Sequence, residues 1–228
     1  MCLRILEMYA WKIELDPYWY YTSPGLAWDA CLKKTGVKLE LMSDINMLLV
    51  IEKGIRGGVS MIRTRYSKAY YKHLKNFNPN EESKFIQYLD ANNLYGWAMS
   101  QPLPVSNFEW MNENELENRK EFSDQEGKGR ILEVDLEYPK ELHDLHNEYP
   151  LAPERVVVNK VEKLIPTFWD KKNYVLHHKN LKQYLEMGLK LSKIHRGISF
   201  HEAAWMKPYI ELNTQLRAEA TNDFQKDF

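Results

Sequence analysis

The sequence predicts a mixed α+β fold, and two kinds of hydrophobic pattern are the basis for this prediction. Several stretches of the 228 residues carry apolar side chains at helical spacing, while others alternate or concentrate β-branched and aromatic residues. Glycine, proline and asparagine separate these stretches. Because 44% of the residues are apolar and 13% are aromatic, the chain can bury a core in one large domain or two small ones.

Three helices are predicted in the N-terminal part of the chain. Apolar side chains recur at helical spacing over residues 2–15. A second helix opens at Ser23, which is followed by proline, and stops at Gly36. A third helix begins at Asp44 and includes the apolar run 45–51.

Two strands and a short helix are predicted next. Residues 59–66 form a β-rich run after two glycines, and residues 85–89 alternate in the manner of a buried or half-buried strand. The turn-forming residues 91–93 follow, and residues 94–99 have helical spacing.

A strand over residues 130–139 is predicted in the second half of the chain. Glu133, Asp135 and Glu137 share one face of this strand because side chains alternate along it. Paired carboxylates can perform acid–base chemistry, but we expect an exposed strand face here.

Another helix, another strand and a final helix complete the predicted elements. The helix is capped by Asn180, and the strand covers residues 189–200. The last helix starts from Ala203 and has Pro208 near its beginning.

Composition excludes several classes of protein. Cys2 and Cys31 are too few for a disulfide framework and lack the spacing of a zinc site. No apolar run reaches the length of about 18 to 20 residues that spans a bilayer, and the N-terminus lacks a signal-peptide pattern. We therefore expect an intracellular protein without a membrane partner. The net charge of -1 gives no indication of nucleic-acid binding, which must depend on local patches.

Residues 84–99 contain the pattern that carries chemistry. Asp90 closes the predicted strand, and the turn that follows it leads into the predicted helix. A carboxylate in this position can hold a hard divalent cation beside a phosphate group. An acid before a turn is also commonly a solvated residue or a helix cap, so both interpretations stay open on spacing alone.

The run D-A-N-N-L-Y-G resembles the D-x-x-S-L-Y-P signature, motif A, of family B DNA polymerases. The longer run YLDANNLYGWAMSQPLP is similar to the version in the protein-primed branch, which occurs in phages, linear plasmids and Maverick/Polinton elements. Asn93 stands where the signature has serine, and Gly96 stands where it has proline.

This resemblance implies a role for each residue of the motif. Asp90 would bind the two Mg²⁺ ions of nucleotidyl transfer, helped by the backbone carbonyl of Ala91. The amides of Asn93 and Leu94 would meet the triphosphate of the incoming deoxynucleotide. The Tyr95 ring would lie under the sugar and exclude a 2′-hydroxyl. Two metal ions neutralise the charge that develops on the attacking and leaving oxygens.

The glycine pair before the β-rich run resembles the Y-x-G-G element of protein-primed polymerases, with Ile55 in place of the tyrosine. Paired glycines are also found in simple tight turns. The surrounding residues 53–75 are rich in cations and tyrosines, which is typical of a nucleic-acid groove or of a solvated face. The resemblance implies that template–primer DNA contacts Arg56, Gly57, Gly58, Arg63 and Arg65.

The resemblance divides the chain into four parts. Residues 1–50 would be a helical segment that joins exonuclease and polymerase regions, and residues 51–103 a palm portion with the glycine pair and motif A. Residues 104–200 resemble the insertion that grips a priming protein, and residues 201–228 a truncated helix leading toward the fingers. The implied fold is an incomplete one, which consists of the N-terminal half of a right-hand polymerase palm and this insertion.

Further features bear on the insertion. Its first part is strongly acidic, which suits contact with a basic protein better than with DNA. The I-P-T stretch within residues 165–175 resembles the corresponding family segment. His177, His178, His195 and His201 might suggest a metal site, but their spacing matches no zinc motif and we expect none.

The expected function is therefore that of a fragment of a DNA-directed DNA polymerase that needs Mg²⁺, deoxynucleotides, DNA and a priming protein. The chain does not contain the motif B and motif C patterns of the family, so we expect no polymerisation by this polypeptide alone. The alternative is a truncated protein derived from a mobile element that only binds DNA or a priming protein. A nuclease built around Asp90 is a third hypothesis, and it lacks a recognisable partner acid.

Overall fold

The computed structural model describes residues 13–62, 64–117 and 127–221 and shows a mixed α+β fold, as predicted. Two 3₁₀ turns cover Pro17–Trp19 and Lys140–Leu142. The helices are α1 Ser23–Thr35, α2 Ile45–Gly54, α3 Leu94–Met99, α4 Glu113–Glu117, α5 His178–Glu186 and α6 Lys207–Glu219. The strands are β1 Leu103–Trp110, β2 Lys128–Glu137, β3 Glu154–Val158, β4 Val161–Ile165, β5 Lys171–His177 and β6 Lys190–Ala203.

Four strands form an antiparallel sheet in the order β1-β6-β2-β5. The long strand β6 pairs with β1 on one side and with β2 on the other, so it organises the sheet. Strands β3 and β4 form a separate hairpin. Asn159 and Lys160 connect them with positive φ angles of 51° and 66°, as a two-residue type I′ turn requires.

The two faces of the sheet bury different clusters. Leu176 belongs to the larger cluster, which also contains Leu132, Leu136 and Leu181. Its neighbour Val175 points to the opposite face, because successive side chains of a strand alternate. There Val175 packs in the cluster that includes Met47 and Val50 of α2 together with Ile198 and Phe200 of β6.

A third cluster holds α1 against α6. Ala30 and Cys31 of α1 are buried with Tyr209 of α6, and the Trp28 ring meets the Trp205 ring edge-on with centroids 6.0 Å apart. This packing fixes the position of α6, which forms one wall of the candidate site.

The strands predicted over 59–66 and 85–89 are wrong. Residues 59–62, 64–66 and 85–89 lie in no strand, and among the described residues of this region Tyr70 and Lys84 form an isolated antiparallel bridge. Phe85 and Leu89 are 67% and 83% exposed. A strand needs a neighbouring strand to hydrogen-bond with its backbone groups. An alternating pattern shows that the side chains suit a strand, but it does not show that a neighbouring strand is present.

Two predicted helix starts are also wrong. Helix α5 begins at His178, and its cap is His177, whose Nδ1 accepts a hydrogen bond from the Lys179 amide at 3.3 Å, rather than Asn180. The final helix begins at Lys207 because Ala203 is still paired in β6. The helix predicted over 2–15 lies almost entirely outside the described residues.

Helices α1, α2 and α3 agree with their predictions. Thr22 caps α1 from the position before Ser23, and Gly36 ends it with a left-handed φ of 63°. Asp44 caps α2 by accepting a hydrogen bond from the Asn46 amide at 2.8 Å. In the part of the chain that the structure describes, no helix is long and apolar enough to cross a membrane.

Candidate functional site

The candidate site begins at Asp90, whose side chain is exposed at the end of the extended residues 85–90. Within residues 13–62, 64–117 and 127–221, no hydrogen bond or ion pair engages this carboxylate. Asp90 is therefore accessible to an external cation. The strand that was expected to end at this residue is absent.

The turn after Asp90 depends on Asn93. Its φ of 53° is left-handed, a conformation that asparagine adopts more readily than most residues. The carbonyl of Asn93 accepts a hydrogen bond from the Trp97 amide at 3.0 Å and so begins α3. Asparagine in place of the signature's serine thus fits the backbone that the turn adopts.

The Asn93 side chain lies over Gly96. A Cβ built on Gly96 would contact the Nδ2 and Oδ1 atoms of Asn93 and would lie 2.7 Å from its Cγ. The asparagine amide therefore occupies the space that a side chain at position 96 would need. The two positions that depart from the polymerase signature contact each other in this chain.

Leu94 and Tyr95 open α3 and point outward. The Tyr95 side chain is 85% exposed and Leu94 is 56% exposed. A tyrosine ring in this position can be reached by a ligand. The exposed Tyr95 ring is free of the contacts that would keep a sugar from reaching it among the described residues.

A cleft lies beside the turn, between α3 and α6. Its volume is about 840 Å³. One wall includes Asn92, Asn93 and Trp97, and the opposite wall includes Lys207 and Thr214 of α6. A cleft of this size matches the range of about 300 to 1,000 Å³ typical of small-molecule sites. We name it the Asn93 cleft.

The residues at Asp90 can supply part of a magnesium site. Mg²⁺ commonly takes one or two protein carboxylates and completes its six oxygen ligands with water and substrate phosphates. Asp90 and the Ala91 carbonyl fit that partial role. Among the described residues, no group of three or more histidine, cysteine or acidic side chains is placed to hold a metal ion.

The residues predicted to contact DNA lie in different surroundings. Arg56 lines a cavity other than the Asn93 cleft, beside the edge strand β5. Gly57 and Gly58 are open, since a Cβ on either would meet nothing within 4 Å. Arg65 is exposed, and Arg63 lies outside the described residues.

Glu133 corrects the prediction of an exposed strand face. It is 5% exposed and accepts hydrogen bonds of 2.6 Å from both Lys53 and Arg196. Burial alone would raise the pKa of this carboxyl, but the hydrogen bonds and charges of Lys53 and Arg196 outweigh it and lower the pKa. Glu133 thereby ties the end of α2 to strands β2 and β6.

Asp135 is likewise almost buried, at 9% exposure. It accepts hydrogen bonds from the Asn173 amide at 2.8 Å, His195 at 2.9 Å and Lys172 at 3.3 Å. These bonds, with the Asn173 amide foremost, lower the pKa of Asp135 to about 2. Only Glu137 of the three acids is exposed, as predicted.

The sequence carries a signal for these ion pairs in the charges of two strands. Glu133 lies opposite Arg196, and Asp135 opposite Lys193, in the pairing of β2 with β6. The acidic strand 130–139 and the basic strand 189–200 are complementary, and opposite charges stabilise facing positions. Complementary composition could therefore have indicated that these strands are neighbours.

The histidines serve other roles in the described structure. His195 contacts Asp135, and the Nε2 atom of His177 lies 3.5 Å from a carboxylate oxygen of Glu202. His178 is buried and its Nδ1 accepts a hydrogen bond from the Arg130 amide at 3.2 Å. Burial is the main cause that lowers the pKa of His178 to about 4, so this ring is neutral at pH 7.

Comparison with known proteins gives no match to this chain among protein-family models, curated proteins or solved structures.

Proposed function

We propose that this chain is the central part of a protein-primed, DNA-directed DNA polymerase, with a fold that belongs to the N-terminal half of a palm and the insertion after it. One observation carries the proposal. The motif residue Asp90 is an exposed carboxylate that no hydrogen bond or ion pair engages among the described residues. Asn92 and Asn93 of the turn that follows it line the Asn93 cleft of about 840 Å³, although Asp90 itself does not line that cleft.

In this proposal, Asp90 and the Ala91 carbonyl hold Mg²⁺, and the amides of Asn93 and Leu94 bind the triphosphate of the incoming deoxynucleotide. The exposed Tyr95 ring lies against the sugar. When bound, the metal neutralises charge on the reacting phosphate and adjacent oxygens. A second carboxylate motif, which this chain does not show, completes the two-metal site.

The exposed segment before Asp90 supports the same proposal. Phe85, Ile86 and Leu89 are apolar and largely exposed, although such side chains are ordinarily buried. In a complete palm they would be covered when residues 85–90 join a sheet. Template–primer DNA would contact Gly57, Gly58 and the exposed Arg65, and a priming protein would contact the insertion.

The test measures metal-dependent nucleotide binding by the 228-residue chain. Fluorescent dATP should bind in the presence of Mn²⁺, used as a substitute for Mg²⁺, and Asp90→Asn should remove the metal-dependent part of binding. The matched control is Glu82→Gln, which changes an exposed acid in the same part of the chain. Equal metal-dependent binding by Asp90→Asn and the unchanged chain would contradict the proposal.

A primer-extension assay provides a second test. The purified chain should extend no primer, because one carboxylate cannot organise both metal ions. Extension would show that its active site is complete and different from the one proposed. Gel-shift binding of DNA without any dependence on metal or nucleotide would favour the alternative, a mobile-element-derived protein that only binds DNA or a priming protein.

A further inference from the structure

A second cavity is lined by none of the residues that line the Asn93 cleft. Its volume is about 360 Å³. The end of α2, strand β5 and the first turn of α5 form its walls. We name it the Arg56 pocket, after the cation that lines it.

Arg56 is held rigidly in this pocket. Its guanidinium carbon lies 3.8 Å from the centroid of the Tyr174 ring, a cation–π contact. Its Nη1 atom donates hydrogen bonds to the Val175 carbonyl at 2.6 Å and to the Gly54 carbonyl at 3.1 Å. An arginine fixed in this way loses little side-chain entropy when it binds a ligand.

Arg56 retains donors for a ligand. Over the described ranges, no protein acceptor bonds its Nε or Nη2 atom. None of the described residues that line the pocket is acidic. Burial is the largest cause that lowers the pKa of His177, so its ring is neutral at pH 7 and Arg56 supplies the positive charge.

The rest of the pocket is apolar or neutral. Ile51, Ile131 and Leu176 contribute aliphatic surface, and Tyr184 contributes an aromatic ring. The first turn of α5 adds Asn180 and the positive end of a nine-residue helix. A fixed guanidinium beside an apolar wall suits a ligand that joins an oxyanion to an apolar group.

We propose that the Arg56 pocket binds a small oxyanion carried on an apolar or aromatic group, with Arg56 contacting the oxyanion. The site does not include Asp90, so it does not depend on the metal site of the proposed polymerase. An aryl phosphate has both parts of the required ligand, and it therefore serves as the probe.

The experiment is calorimetric titration of the 228-residue chain with phenyl phosphate, phenol and inorganic phosphate. Phenyl phosphate should bind at least about tenfold more tightly than either part alone, because both the ring and the charge contribute. Arg56→Gln should weaken its binding by about tenfold or more, since a charge-assisted hydrogen bond is lost. Arg65→Gln, which removes an exposed arginine that does not line the pocket, should leave binding unchanged.

A second variant keeps the test decisive if Arg56→Gln disturbs the fold. Asn180 is exposed at the pocket wall, so Asn180→Trp should fold normally and block the ligand. In NMR spectra recorded during titration with phenyl phosphate, the backbone amide signals of Gly54, Val175 and Asn180 should shift most. Equal affinity for phenol and phenyl phosphate, or unchanged binding in Asn180→Trp, would overturn the proposal. Binding of an eight-nucleotide oligothymidylate through Arg56, without binding of phenyl phosphate, would overturn it as well.

Discussion

The side chain of Asn93 fills the space above Gly96 that a Cβ at that position would occupy. Asn93 also takes the left-handed backbone conformation that begins α3. The identity of each residue therefore constrains the other, and a change at one position should alter the effect of a change at the other.

The first prediction tests this coupling. Gly96→Ala alone forces the Asn93 side-chain amide to move, which lowers the free energy of unfolding. This loss opposes the gain in stability of about 0.5–1 kcal/mol that alanine brings to a helix in place of glycine. In an Asn93→Gly background the obstruction is gone and the backbone is unstrained, so Gly96→Ala should stabilise the chain. Denaturant unfolding of the four proteins should give a coupling energy of about 1 kcal/mol. Additive effects would contradict the contact.

The second prediction concerns Glu133, which joins Lys53 of α2 to Arg196 of β6. Glu133→Gln should lower the free energy of unfolding by about 2 kcal/mol. This is less than a fully buried pair would lose, because both cations are half exposed. Glu137→Gln, at the exposed end of the same strand, should change stability by less than about 0.5 kcal/mol. Urea unfolding measures both, and equal losses would show that the buried ion pairs contribute nothing specific.

The third prediction follows from Asp135, whose pKa is lowered from 3.8 to about 2. A carboxyl with a lower pKa in the folded state stabilises folding above its unfolded pKa, and the contribution disappears as the pH falls through the folded value. The free energy of unfolding should therefore decline between pH 4 and pH 2. Asp135→Asn should decline less steeply over this interval, while Glu137→Gln should keep the full slope. A titration of the Asp135 carboxyl by NMR with a midpoint near 3.8 would contradict the assignment.

The fourth prediction concerns Lys171, which is fully buried. Its ammonium donates to Glu154 at 2.7 Å and to the hydroxyl and carbonyl of Thr167 at 2.6 and 3.2 Å, and so anchors the β3–β4 hairpin to the sheet. Lys171→Met should cost about 2–3 kcal/mol, because it leaves the Glu154 carboxylate without its cation.

The neighbouring Lys172 is the control for this prediction. Its side chain is 68% exposed and contacts Asp135 at 3.3 Å. Lys172→Met should cost less than about 1 kcal/mol, as an exposed pair contributes little. Hydrogen exchange in residues 154–165 should accelerate in Lys171→Met and stay unchanged in Lys172→Met. Equal hydrogen-exchange rates in the two variants would contradict the anchoring role of Lys171.

Helices with local end signals were predictable from the sequence. Gly36 stops α1 because it adopts a left-handed φ, and Asp44 caps α2 through a contact only two residues away. Both signals act within one turn of the chain. Strand β2 was predictable for a similar reason, since apolar and acidic side chains alternate over its residues 132–137.

The absence of a strand over 85–89 could not be predicted in the same way, because strand pairing depends on residues far along the chain. Glu133 shows the same limit: its partners Lys53 and Arg196 lie 80 and 63 positions away. At the candidate site, Arg56 lines a different cavity from the Asn93 cleft, and this placement depends on tertiary packing that no local pattern records.

The exposed residues 85–90 also affect the tendency of the protein to aggregate. An open segment rich in aromatic and branched side chains is a template on which the same segment of another molecule can add as a strand. Concentrated solutions of this chain should therefore form β-rich aggregates that begin at Phe85–Leu89. A lysine in place of Ile86 should delay that aggregation by introducing charge repulsion between stacked copies.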